Sequence, residues 1–260
     1  MDHPINKKPW QTTAERNLAM LYETAQTLST EIQKSQAFPW PLVEPKSDLP
    51  LRPYQVQAIE CILEAFCRGR QSVAISLPTG CGKTILFLAL ARGVMEAGGR
   101  VLIIAHRDEL ILQPIEKLDL VWPGHPEAGI IKAERFEPDR PIVLASIQTL
   151  WRRLDRLSQG FDLVIIDEAH HAAANTYCKA LERLCELNLQ VKVLGVSATL
   201  FRRDGESLRE VFEEVVFEYS VLEAIADGYF ALWTTGQLRP GATSPGCALI
   251  TVKGTSRSLS

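Results

Sequence analysis

The sequence predicts an α/β domain with a mostly parallel sheet and helices on both faces. Three observations carry that prediction. Five short apolar runs, Ser72–Leu77, Val101–Ala105, Ile142–Ala145, Leu163–Asp167 and Val191–Val196, are near-continuous rather than alternating, which is how strands covered on both faces read. Helical stretches separate the runs, and strand–helix–strand order at this spacing builds a doubly wound sheet. A glycine-rich loop after the first run opens directly into an apolar helix, Ile85 to Met95.

Composition agrees with a packed core. The 260 residues are 46% hydrophobic and 23% charged, with 28 Lys+Arg against 31 Asp+Glu and a formal net charge of −3. That balance excludes wholesale disorder and a collagen-like repeat. Near-neutrality excludes a polybasic, histone-like mode of nucleic-acid binding but leaves room for a local basic cleft. No run reaches the roughly 18 uncharged apolar residues that a membrane span needs. The first 50 residues show neither a signal-peptide apolar region nor an Arg-rich transit pattern, so a soluble intracellular protein with no membrane partner is expected. Six cysteines (Cys61, Cys67, Cys81, Cys178, Cys185, Cys247) form no CxxC pair. They read as reduced, mostly buried residues rather than as disulfides or zinc ligands.

Taken in order, residues 1–50 stand apart. Ala14 to Gln33 carries Leu18, Leu21, Ala25, Leu28 and Ile32 at helical spacing, and Pro39, Pro41, Pro45 and Pro50 then break the chain into an extended linker. Residues 51–230 hold the alternating strands and helices. Past Trp233 the pattern ends: Gly236, Pro240, Gly241, Pro245, Gly246 and Gly254 among Ser and Thr make 231–260 an expected disordered tail.

The loop itself is Leu77-Pro78-Thr79-Gly80-Cys81-Gly82-Lys83-Thr84. Gly80 and Gly82 can take positive φ, so successive backbone N–H groups can converge on one anion at a helix N-terminus. Lys83 has the reach for β- and γ-phosphates, and the Thr84 hydroxyl can ligate Mg²⁺. The strict GxxxxGK[ST] pattern wants glycine where Leu77 stands. A chance Gly-Lys turn is the alternative, and the strand–loop–helix context argues against it.

A carboxylate at the end of another buried strand should complete such a site. Leu163-Val164-Ile165-Ile166 delivers Asp167, followed by Glu168, Ala169 and His170, to the carboxyl edge where open α/β sheets bind ligands. Asp167 would hold the metal and Glu168 would polarise an attacking water. The His170-His171 pair lacks an HExxH pattern or a nearby cysteine, which argues against zinc.

Together these motifs resemble the superfamily 2 helicases and translocases, in the DEAD/DEAH-like branch that includes type III restriction-enzyme subunits. Leu51-Arg52-Pro53-Tyr54-Gln55 looks like the adenine-reading segment of that family, with Gln55 on the base edge and Arg52 beside it. Ala105-His106-Arg107-Asp108-Glu109-Leu110 looks like motif Ia, Ala145-Ser146-Ile147-Gln148-Thr149-Leu150 like motif Ib, and Gly195-Val196-Ser197-Ala198-Thr199-Leu200 like motif III. The resemblance implies the first RecA-like P-loop NTPase domain, with ATP and Mg²⁺ as cofactors. It implies that Arg107, Ser146, Gln148 and Thr149 grip one strand of DNA, or less expectedly RNA, through phosphates. It also implies that His170, Ser197 and Thr199 couple nucleotide state to that grip.

The family pattern continues into a second RecA-like domain that supplies arginine fingers. Val221 to Tyr229 resembles the linker entering it, and the following 30 or so residues here carry no further strand–helix series. A nucleic-acid-dependent ATPase motor, completed by a second domain or a partner subunit, is therefore the leading expectation. A truncated module that binds ATP and nucleic acid with little hydrolysis is the alternative. A small-molecule kinase is the third, disfavoured by Gln55 and by Asp167-Glu168-Ala169-His170.

Overall fold

The computed structural model describes residues 38–40, 43–106, 112–172, 174–198, 211–232 and 248–250. The chain divides into two units at 38/39, and every strand and helix named below belongs to the second. The helix expected over Ala14 to Gln33 lies outside the described residues.

The elements run in the order the apolar pattern requires. Helix α1 (Pro53–Cys67) leads into β1 (Ser72–Ser76), α2 (Lys83–Glu96), β2 (Val101–Ala105), α3 (Leu112–Val121), β3 (Gly129–Lys132) and β4 (Arg135–Phe136). Then come β5 (Ile142–Ser146), a short α4 (Ile147–Leu150) continued by a 3₁₀ turn, β6 (Leu163–Asp167), α5 (Asn175–Leu187) and β7 (Lys192–Ser197). The remainder is β8 (Glu214–Glu218), α6 (Val221–Ala226), β9 (Phe230–Leu232) and β10 (Ala248–Ile250). All five predicted strands are present, with ends shifted by at most one residue.

Eight strands form one sheet in the order β4-β3-β5-β2-β6-β7-β1-β8. Only the β3–β4 hairpin is antiparallel. The central strands are buried along their whole length, β2 and β5 completely so. Their side chains alternate between two covered faces; Leu102, Ile104, Val143, Ala145, Val164 and Ile166 share one cluster with Phe161, Tyr177 and Phe212. Helix α2 is buried almost all round, which matches its uninterrupted apolar sequence. Helix α5 buries Tyr177, Ala180 and Leu184 at 3–4 spacing, with Leu181 and Leu187 partly buried against the same cluster. No helix among the described residues is long and apolar enough to cross a membrane.

Three expectations need correction. The Pro-rich segment before residue 51 is not a free linker in its described part. Trp40 and Val43 are buried, the Lys46 and Asp48 N–H groups donate to the carbonyls of Ala89 and Val121, and Asp48 pairs with Arg92 at 2.7 Å. Gly93 of α2 makes this strap possible, because a Cβ there would strike the backbone of Glu44 and Pro45. Second, the two described pieces of the expected tail, 231–232 and 248–250, are strand: Ala248–Ile250 pairs in parallel with Phe230–Leu232. The β-prone run Ala248-Leu249-Ile250-Thr251-Val252 was the available signal. Third, the five described cysteines are free thiols, but only Cys81 is buried; Cys67 and Cys185 are exposed on their helices.

Candidate active site

Three adjacent strand ends build the site. In the β6-β7-β1 order, Ser76 of β1 lies opposite Ser197 of β7, and Asp167 of β6 lies opposite Val196. The glycine-rich loop leaves β1 at this edge, and the Leu77 N–H donates to the carbonyl of Ser197 at 2.9 Å. Leu77 is fully buried, so the departure from the glycine pattern serves as a core anchor at the strand end.

The loop has the backbone its glycines allow. Gly80 has φ 90°, and Gly82, which caps α2, has φ 69°. Pro78 and Cys81 close a turn through a 3.2 Å N–H to carbonyl bond. Lys83 is 9% exposed, with Nζ at 3.5 Å from the Leu77 carbonyl, so its ammonium is folded back over the loop. The Thr84 hydroxyl sits beside it and accepts from Lys117 Nζ at 3.2 Å. Lys117 belongs to α3, and no sequence motif marked it.

Gln55, the expected adenine reader, is hydrogen-bonded to the glycine loop. Its Oε1 accepts the Arg52 N–H at 2.8 Å, and its Nε2 donates to the carbonyls of Cys81 and Gly82, each at 3.2 Å. The side chain is 3% exposed, with both ends of the amide committed. It acts as a clamp between the start of α1 and the glycine loop. Tyr54 adds a second clamp, its hydroxyl donating to the Cys81 carbonyl at 2.9 Å and accepting from Arg52 at 3.0 Å. Burial pushes the Tyr54 phenol up to about 12. Tyr54 also stacks on Tyr219 at 4.3 Å and meets Tyr229 edge-on, while Arg52 covers the Tyr229 ring. The segment expected to lead out of the domain is thereby packed against the loop's own support.

Asp167 sits in a field that disfavours its charged form. Burial and the neighbouring Glu168 push its pKa up, and Lys83 and Lys117 oppose that rise. Glu168 takes the left-handed conformation, φ 54°, which swings its carboxylate away from the strand line. Its Oε2 lies 3.3 Å from His170 Nδ1, and the same nitrogen is 3.0 Å from Ser197 Oγ. A continuous polar path therefore runs Glu168–His170–Ser197. His171 stacks on His106 at 3.8 Å, joining this turn to the end of β2. The half-buried Asp167 carboxylate and the Thr84 hydroxyl, with Lys83 and Lys117 nearby, form a hard-oxygen donor set, which fits Mg²⁺. The twin positive-φ glycines at a helix start fit the phosphates that would accompany it.

The expected phosphate-gripping residues are only partly accessible. Ser146 is fully buried, and its hydroxyl donates to Gln148 Oε1 at 2.6 Å. Gln148 is exposed but spends its amide N–H on the His106 carbonyl at 2.7 Å. The Thr149 hydroxyl accepts the Ala133 N–H at 3.2 Å. Arg107 and Thr199 lie outside the described residues.

Residues 48–202, spanning loop, Asp167 and His170, match the family model described as type III restriction enzyme, res subunit. The chain belongs to that family. It is 35% identical over 190 residues to the putative ATP-dependent helicase IRC3 of Saccharomyces cerevisiae, covering 68% of this chain and 27% of the relative. It is 37% identical over 145 residues to the probable helicase D10 of Escherichia phage T5, covering 55% of this chain and 29% of D10. The chain thus spans under a third of these curated relatives. The helicase domain of Pyrococcus furiosus Hef shares the fold with a TM-score of 0.55 at 24% identity, over 67% of this chain and 39% of that one. The SWI2/SNF2 ATPase core of Sulfolobus solfataricus, solved with dsDNA, gives 0.53 at 20% identity, over 66% and 37%.

Proposed function

We propose that residues 51–230 are the ATP-binding motor domain of a nucleic-acid-dependent ATPase of the helicase class. The observation that supports this most is the half-buried Asp167 at the end of β6, whose carboxyl feels the charge of Lys83 from the glycine loop. Mg·ATP would supply the scissile phosphoanhydride and the charge that the metal partly neutralises. Lys83 and the N–H groups from Gly80 to Thr84 bind its phosphates, and Thr84 and Asp167 hold the metal. Glu168 takes a proton from the attacking water. His170 Nδ1, hydrogen-bonded to Ser197 Oγ and 3.3 Å from Glu168 Oε2, keeps that carboxylate near the end of β7.

The nucleic-acid partner is read as DNA, on the strength of related folds solved with DNA. It would lie along the ends of β2 and β5, with Arg107, Gln148 and Thr149 toward its phosphates. A second RecA-like domain, on the same polypeptide or a partner subunit, would close over the nucleotide and bring an arginine finger.

Two substitutions test the division of labour. Glu168→Gln keeps Mg·ATP binding, measured by calorimetry, and slows hydrolysis, because the amide has the shape but not the basicity. Asp167→Asn weakens the Mg²⁺-dependent part of binding. Equal loss of binding in both, with no selective effect on rate, would overturn the assignment.

A further inference from the structure

The contact between Lys117 and Thr84 carries a consequence for metal loading, and it rests on the reading that Thr84 and Asp167 face Mg²⁺. Lys117 lies on α3, half-buried, on the flank of the stripe formed by Pro114, Leu118 and Val121. Its ammonium donates to the Thr84 hydroxyl from 33 residues away in sequence. It also acts on Asp167, in the same sense as Lys83 and against Glu168. One monovalent cation therefore already contacts the hydroxyl of the hard-oxygen donor set, and its charge is felt at the carboxylate. A divalent ion at Thr84 would sit within a few ångströms of that ammonium, where like charges repel strongly in a partly desolvated pocket. The lysine head rides on a flexible four-carbon stem, so it can leave without any movement of α3.

We propose that Lys117 is a built-in stand-in for the metal. It occupies the Thr84 hydroxyl when no nucleotide is bound, keeps free Mg²⁺ out, and yields only when phosphate charge arrives with the metal. It is a positioning residue that makes metal and nucleotide enter together. The role needs a cation at position 117 rather than a lysine as such, so arginine should preserve it and a neutral side chain should not.

The experiment uses the 260-residue chain and Mn²⁺ as a Mg²⁺ surrogate, read by loss of the free-ion electron paramagnetic resonance signal without nucleotide. Lys117→Met should bind Mn²⁺ about tenfold tighter than the unaltered chain, the size expected from removing one nearby like charge. Lys117→Arg should remain weak. Adding Thr84→Ala to Lys117→Met should abolish the gain, which places the ion at that hydroxyl. Lys117→Gln serves the same purpose if the methionine variant does not fold. In parallel, Lys83→Ala is tested for ADP binding by calorimetry. Unchanged Mn²⁺ affinity in the neutral variants, or a gain that survives Thr84→Ala, overturns the role of Lys117 while a Lys83→Ala binding loss keeps the nucleotide site. Unchanged ADP affinity in Lys83→Ala overturns the site itself.

Discussion

Replacing Gly82 with alanine would test the clamp between Gln55 and the glycine loop. Gly82 has φ 69°, where an L-residue costs about 1–2 kcal/mol. A Cβ there would also lie 2.6 Å from Gln55 Nε2. Gln55 cannot step aside freely, because Oε1 is bonded to the Arg52 N–H and Nε2 to two loop carbonyls. Losing the two loop bonds costs about 1 kcal/mol each, so Gly82→Ala should destabilise by about 3–4 kcal/mol in all. Gln55→Ala forfeits the same bonds and the Arg52 contact, about 3 kcal/mol. It also removes the atom that the new Cβ strikes. In the double variant only the backbone cost of alanine remains to be added, so the pair should fall short of additivity by about 2 kcal/mol. Urea denaturation of the four proteins measures this cycle. Strict additivity would show that Gln55 does not hold the loop in solution. It would then be free for a nucleotide base, as the sequence pattern suggests.

Gly93→Ala separates helix propensity from the strap. In an unencumbered helix the change should stabilise by up to about 1 kcal/mol, whereas here the Cβ meets the Glu44 and Pro45 backbone. The expected result is a lower Tm and faster proteolysis within residues 39–50; a higher Tm would show that the strap does not rest on α2. Asp167→Asn should stabilise the nucleotide-free protein. The folded carboxyl has a raised pKa, so native stability is fullest below the ordinary aspartate range and falls as pH rises through the raised value. The Tm gain of the variant should therefore grow with pH across that window and vanish when Mg·nucleotide is bound, and a pH-independent difference would contradict it. Assayed as the 260-residue chain with saturating DNA, hydrolysis should stay well below about 1 s⁻¹, because an arginine finger contributes roughly 10³–10⁵ in rate. Turnover above that value would mean the finger is carried within these residues.

Much of this molecule was legible from residue order alone. A strand covered on both faces must be apolar throughout, so the central strands announced themselves, and Leu163-Val164-Ile165-Ile166 placed Asp167 at the sheet edge. Backbone that must turn through positive φ beside a helix start leaves glycines, and Gly80 and Gly82 stand there. The strands β3, β4 and β8 escaped notice because they are short or lie toward the sheet edges, where one-sided cover weakens the apolar pattern. What side chains do at the site depended on partners far away in sequence. The bonds from Gln55 to the carbonyls of Cys81 and Gly82, 26 and 27 residues on, have no signal in the Leu51–Gln55 segment itself. The burial of Ser146 follows from the pairing of β2 with β5, strands 41 residues apart in register. Lys117 has no local signature, because its meaning lies in one hydroxyl on a neighbouring helix. Propensity and burial pattern are properties of consecutive residues, whereas a hydrogen-bond partner is chosen only when the packed helices and strands bring two distant segments within about 3 Å.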